Sequence, residues 1–145
     1  MESSLTAPQK TILVVENTAL VRNTVRRILE QAGFTVLCAA SADEAMRLMG
    51  SSTKIHLLFS AVMMPDMSGP DLALKLKALR PDMRVMLMSG YPNGEMLVLN
   101  NGWYFIEKPF VAVQLVAKIK DVLSEEMRYQ ATDHFDTRKV KAVAS

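Results

Sequence analysis

One cysteine, Cys38, in 145 residues leaves no internal disulfide and no cysteine-based zinc site. In its apolar stretch it reads as a small core residue. Long hydrophobic runs are missing too. None approaches the roughly 20 residues that span a bilayer, and the start, MESSLTAPQK, lacks the charged and apolar regions of a signal peptide. The expectation is a soluble, cytoplasmic protein with no membrane contact. Charge of one sign is scarce: 17 Lys and Arg against 15 Asp and Glu give +2, spread along the chain. Nucleic-acid binding needs basic clustering, and there is none outside a short tail. Glycine is absent from ENTALV, residues 16–21, so neither G-x-G-x-x-G nor a P-loop follows the first strand. No G-x-S-x-G elbow occurs either. These absences count against the alternative of a flavodoxin-like enzyme or nucleotide binder.

What the chain has is apolar residues, half of the total, in short alternating segments. A chain of about 150 residues buries roughly 70% of its unfolded surface, so one domain is expected. TILVV (11–15) is a continuous β-branched run suited to a strand buried on both faces. Val21, Val25, Ile28, Leu29 and Ala32 then recur at helical spacing, with Gly33 at the C-terminal stop. FTVLCAA (34–40) is a second strand. Ser41 and Glu44 form a capping box that opens a helix to Met49. IHLLFSA (55–61) is the third strand, and Pro70 starts a helix through Leu79. RVMLMS (84–89) is the fourth, a short helix is expected over Glu95–Asn100, and WYFIE (103–107) is the fifth. Val111, Leu115, Ile119 and Val122 mark a last helix ending near Glu126. The alternating region covers 10–126, between an N-terminal extension (1–9) and a tail (127–145) that loses apolar periodicity. For the tail, disorder is the default and helical extension the alternative. His134 within it is isolated and reads as solvated.

Five alternations of strand and helix argue for an α/β fold, a doubly wound parallel sheet with helices on both faces. Such sheets carry their sites at the carboxyl ends of the strands. The residues standing there are Glu16 and Asn17, Ala61, Ser89 and Lys108.

ILVVEN, AVMMPDMSG, MSG and EKPF, in that order at successive strand ends, resemble the receiver domain of two-component response regulators, the flavodoxin-like family of the bacterial chemotaxis regulator. The resemblance runs from about Lys10 to Leu123. It implies a five-stranded sheet of order 2-1-3-4-5. It also implies a site in which an aspartate ending the third strand accepts a phosphoryl group, two acids after the first strand hold Mg²⁺, and a hydroxyl and a lysine bind the phosphoryl oxygens. Counting back from Pro65, the acceptor position is Ala61, whose methyl can neither attack phosphorus nor ligate a metal. Of the acid pair, Glu16 keeps its charge and Asn17 is neutral, so Mg²⁺ binding is expected to be weak or absent. Ser89 and Lys108 match the phosphate-binding remnants, and Phe105 the switch aromatic. Lys108, deprived of its usual partner, is expected to pair with Glu16.

Three nearby groups have plainer readings than a displaced nucleophile. Ser60 points to the opposite face from position 61 and reads as a buried, hydrogen-bonded serine. Asp66 reads as turn chemistry, and Asp71 as a complement to a helix N-terminus. An engineered Asp-to-Ala change at position 61 would leave the acid pair intact. Asn17, Thr18 and Ala19 favour natural drift of the whole site. The resemblance implies a protein partner, a histidine kinase or another signalling protein, and admits a homodimer, since receivers associate through several faces. Trp103 and Tyr104, opening the fifth strand, are the candidate partner surface, unless Trp103 merely caps the sheet edge.

Overall fold

The computed structural model describes residues 9–50, 53–90 and 101–131, with side chains as far as 124. Among these, strands and helices alternate as β1 (Thr11–Val15), α1 (Ala19–Gln31), β2 (Thr35–Ala39), α2 (Ala42–Met49), β3 (Leu57–Ala61), α3 (Gly69–Leu79), β4 (Arg84–Ser89), β5 (Tyr104–Glu107) and α4 (Ala112–Ala131). The helix expected over Glu95–Asn100 lies outside the described residues. All strand pairs are parallel, and the sheet order is β2-β1-β3-β4-β5.

Burial follows that order. The inner strands β1 and β3 are buried at every position, which is why they read as unbroken apolar runs rather than alternating ones. The edge strands β2 and β5 are only partly covered. Successive side chains leave the sheet on opposite faces, so each strand feeds two cores. Leu13, Val15, Leu58 and Leu87 pack with Ala45 of α2 and with Leu72 and Leu76 of α3. Ile12, Val14, Phe59 and Met88 pack with Val25 and Leu29 of α1 and with Leu115 and Ile119 of α4. Met83, Met86 and Met88 are fully buried and belong to these cores.

Local chemistry ends the helices where the sequence marks them. Gly33, at φ +101°, adopts a backbone that side-chain-bearing residues avoid. Its N–H donates to Glu30 O (3.0 Å), and the Phe34 N–H to Leu29 O (3.1 Å). This is the double closure of a Schellman motif. At the start of α2, Ser41 Oγ accepts from the Glu44 N–H at 3.1 Å, while Glu44 Oε1 accepts from the Ala40 N–H at 2.7 Å. The reciprocal bond thus falls one residue before the one a capping box uses.

Two boundaries differ from the sequence expectation by more than one residue. The third strand begins at Leu57 rather than Ile55, because the ladder to β1 is finished by a side chain: the Thr11 N–H donates to His56 Nδ1 at 3.0 Å. The last helix continues past Glu126 to Ala131. Residues 127–131, MRYQA, are mostly strong helix formers, so propensity carries the helix on. Over those residues the tail takes the helical extension that the sequence left as the alternative to disorder, and 132–145 lie outside the described residues.

Candidate functional site

Because every strand of the sheet points the same way, the residues that follow β1, β3, β4 and β5 meet along one edge. Glu16 follows β1, and its N–H continues the ladder to Ala39 O at 3.0 Å. The side chain is 2% exposed, and both carboxylate oxygens are engaged. Oε1 accepts from Lys108 Nζ at 3.1 Å, and Oε2 from the Thr18 N–H at 3.0 Å. Arg22 Nη1 donates to the Glu16 carbonyl oxygen at 2.8 Å. The Glu16–Lys108 pair expected from the sequence is therefore formed. The adjacent Asn17 side chain is exposed.

Lys108 is held at its backbone as well, its N–H donating to Ser89 O at 2.8 Å. Ser89 itself is buried. Ala61 ends β3 at 3% exposure, its methyl in the same apolar cluster as Phe59, Met88 and Ile106. Ser60 is fully buried and donates from Oγ to Ala61 O at 2.9 Å, which accounts for its hydroxyl. Beyond Ala61 the chain doubles back tightly. The Val62 N–H donates to Met88 O (3.0 Å), and the Gly69 N–H to Val62 O (2.8 Å).

Asp66 serves its own turn, where its carboxylate accepts from the Asp66 and Met67 N–H groups, and it serves a second element as well. Its Oδ1 accepts from the Ala42 N–H at 3.3 Å and its Oδ2 from the Asp43 N–H at 3.1 Å, so it caps the N-terminus of α2 from a distant part of the chain. Together with Ser41 it satisfies the N–H groups of Ala42, Asp43 and Glu44, which no intrahelical partner can reach. Asp71 does lie in the first turn of α3, as expected, and Ser68 Oγ caps that helix by accepting from the Asp71 N–H at 3.1 Å.

The bond from the Asp43 N–H holds the Asp66 carboxyl below its ordinary value of 3.8. A depressed carboxyl supports the folded state above its unfolded value and loses that support as pH falls through the lower folded one. Protection of the Ala42 and Asp43 amides from hydrogen exchange, relative to the unprotected rate at each pH, should therefore persist at neutral pH, fall only below about pH 3.8, and be low at every pH in Asp66→Ala. Unchanged exchange in that variant would remove Asp66 from this role.

The aromatics of β5 divide between the faces. Trp103 and Phe105 are half-buried against the core under α2 and α3, and Tyr104 is half-buried against the opposite core. Trp103 is thus packed at the sheet edge rather than free-standing. A groove of about 660 Å³ runs between β5 and α4, lined by Phe105, Ile106, Glu107, Lys118 and Asp121. Cys38 is half-buried, and burial pushes its thiol up, so it stays protonated at neutral pH.

The sequence model of the response regulator receiver domain matches residues 12–120, nearly the whole sheet and its helices. The chain belongs to the receiver domain family. Among the receiver's relatives, the sensor kinase CckA of Brucella abortus is 33% identical over 120 residues, which cover 80% of this chain and 13% of that protein. The C4-dicarboxylate transport transcriptional regulatory protein DctD of Rhizobium meliloti is 33% identical over 137 residues, covering 92% of this chain and 29% of the regulator. The receiver thus spans under a third of either relative. A CheY-like receiver domain protein from Methanospirillum hungatei superposes with a TM-score of 0.76 at 32% identity, covering 83% of this chain and 98% of that one.

Proposed function

We propose that this receiver acts in two-component signalling by binding a protein partner, and that it does so without being phosphorylated. The observation that carries the reading is the buried methyl of Ala61 at the end of β3, where the family's chemistry requires a carboxylate. An acyl phosphate needs an oxygen nucleophile on the protein and a cation to spread the charge of the transferred group. The acceptor position offers neither nucleophile nor ligand. Glu16, the acid that survives, is turned onto Lys108.

Ser89 and Lys108 are then remnants of a phosphate pocket, and Phe105 a switch aromatic without its trigger. The domain has no catalytic activity of its own, works in the cytoplasm, and presents one fixed state. Its partner is a histidine kinase or another signalling protein. Its partner face is Trp103 and Tyr104, since half-buried aromatics at a sheet edge offer rigid contact area.

Incubation with acetyl phosphate and Mg²⁺, read by intact mass, tests the reading. The expected spectrum is unchanged, and an adduct of one phosphoryl group would overturn it.

A further inference from the structure

We infer that Lys108 is the resident cation of this crevice: its ammonium takes the charge-neutralising place beside Glu16 that a divalent metal holds in phosphorylatable receivers, and latches the strand-end loops together without metal. The inference rests on the reading that acceptor chemistry has been lost, and it adds what replaced the metal.

A carboxylate as buried as Glu16 is costly unless its charge is compensated. Here the compensation is internal. Lys108 Nζ lies 3.1 Å from Oε1, and the remaining oxygen takes the Thr18 N–H at 3.0 Å. The lysine is 31% exposed, so its ammonium keeps part of its hydration while neutralising the acid. Mg²⁺ demands near-octahedral oxygen ligation and usually enters on one or two carboxylates. This site offers a single carboxylate already in use, the neutral Asn17, and a methyl at Ala61. These residues do not fit the ion. A metal could enter only by displacing the ammonium, exchanging one cation for another with no second carboxylate in return.

The pair also has a mechanical consequence. It joins the loop after β1 to the loop after β5, residues 92 apart in sequence. Thr18 is the N-cap of α1 and makes no side-chain cap bond of its own. Glu16 receives its N–H, and Arg22 from the first turns of α1 returns to the Glu16 carbonyl. The start of α1 is thus set by the Glu16–Lys108 latch.

Thermal melts in EDTA and in millimolar Mg²⁺ or Mn²⁺, with no phosphodonor present, test this. The wild-type chain should melt at one temperature in all three. Lys108→Met should melt about 5 °C lower in EDTA and recover part of the loss in Mn²⁺, because the freed carboxylate admits the ion. The paired change Glu16→Gln with Lys108→Met should lose less and ignore metal, which keeps the test open if the single variant fails to fold. Three results would each overturn the inference: a wild-type melting temperature that rises with Mg²⁺, a Lys108→Met variant as stable as wild type, or one indifferent to metal. Phosphoryl uptake in the mass experiment would sink the unphosphorylated reading and leave these melts unaffected, so the two failures are distinguishable.

Discussion

Gly69→Ala should lower stability by about 3 kcal/mol and the melting temperature by about 10 °C. The cause is a backbone approach. A Cβ at position 69 would overlap the carbonyl oxygen of Ala61 and stand 3.1 Å from the Ala61 carbonyl carbon and from Val62 Cα. None of these atoms is the end of a flexible side chain. The Ala61 oxygen already accepts from Ser60 Oγ, and the Gly69 N–H is bonded to Val62 O, so both sides of the contact are held. Relief requires the first turn of α3 to move off β3, which would open the core under Leu72 and Leu76. Gly50→Ala is the matched control. There φ is −73°, and the nearest contact of an added methyl is Arg47 O at 3.3 Å, so a change within about 0.5 kcal/mol is expected. Urea denaturation of both variants reads the difference as a shift in midpoint at unchanged slope. Equal midpoints would mean that the loop from Ala61 to Gly69 yields freely.

That glycine shows where sequence reading reaches its limit. Pro70 and the apolar spacing after it place α3 correctly to within a residue, but nothing local tells that position 69 lies against the end of β3. The same division runs through the molecule. Strands β1 and β3 are legible because complete burial demands an unbroken apolar run. The Ser41–Glu44 box and Gly33 are legible because their partners lie within a few residues. Asp66 is legible as a turn residue, but the amides of Ala42 and Asp43 that it also serves belong to an element that only the fold brings near. His56 goes unnoticed because a single imidazole replacing a backbone acceptor leaves no periodic trace. Within the site, the positions of Glu16, Ala61, Ser89 and Lys108 follow from where strands end. The Glu16–Lys108 pair could be anticipated because a buried ammonium needs a counter-charge, and Glu16 is the acid among the strand-end residues. The Thr18 N–H on the other carboxylate oxygen could not, since it depends on how the chain turns after Glu16.

Ala61→Asp should make the stability of the domain depend on divalent metal. The substitution places a second carboxylate at a position 3% exposed, among the apolar neighbours Phe59, Met88 and Ile106 and along the same sheet edge as Glu16. Desolvation and the like charge of Glu16 both oppose ionisation there. The Lys108 ammonium already serves Glu16, and one cation between two carboxylates leaves the crevice with a net negative charge. In EDTA the cost should be about 2–4 kcal/mol, a fall of roughly 6–12 °C in melting temperature. Mg²⁺ now has two carboxylates to enter on, and at about 100 times its dissociation constant it should return about 2.7 kcal/mol. Adding Asn17→Asp supplies a third carboxylate. That double variant should gain one phosphoryl group from acetyl phosphate in intact mass spectra, where the wild type gains none. A single variant that melts like wild type in EDTA and ignores Mg²⁺ would mean that position 61 does not face the crevice shared by Glu16 and Lys108. Because the carbonyl of residue 61 and the whole β3–β4 ladder stay in place, any such change reports on the side chain at that one position.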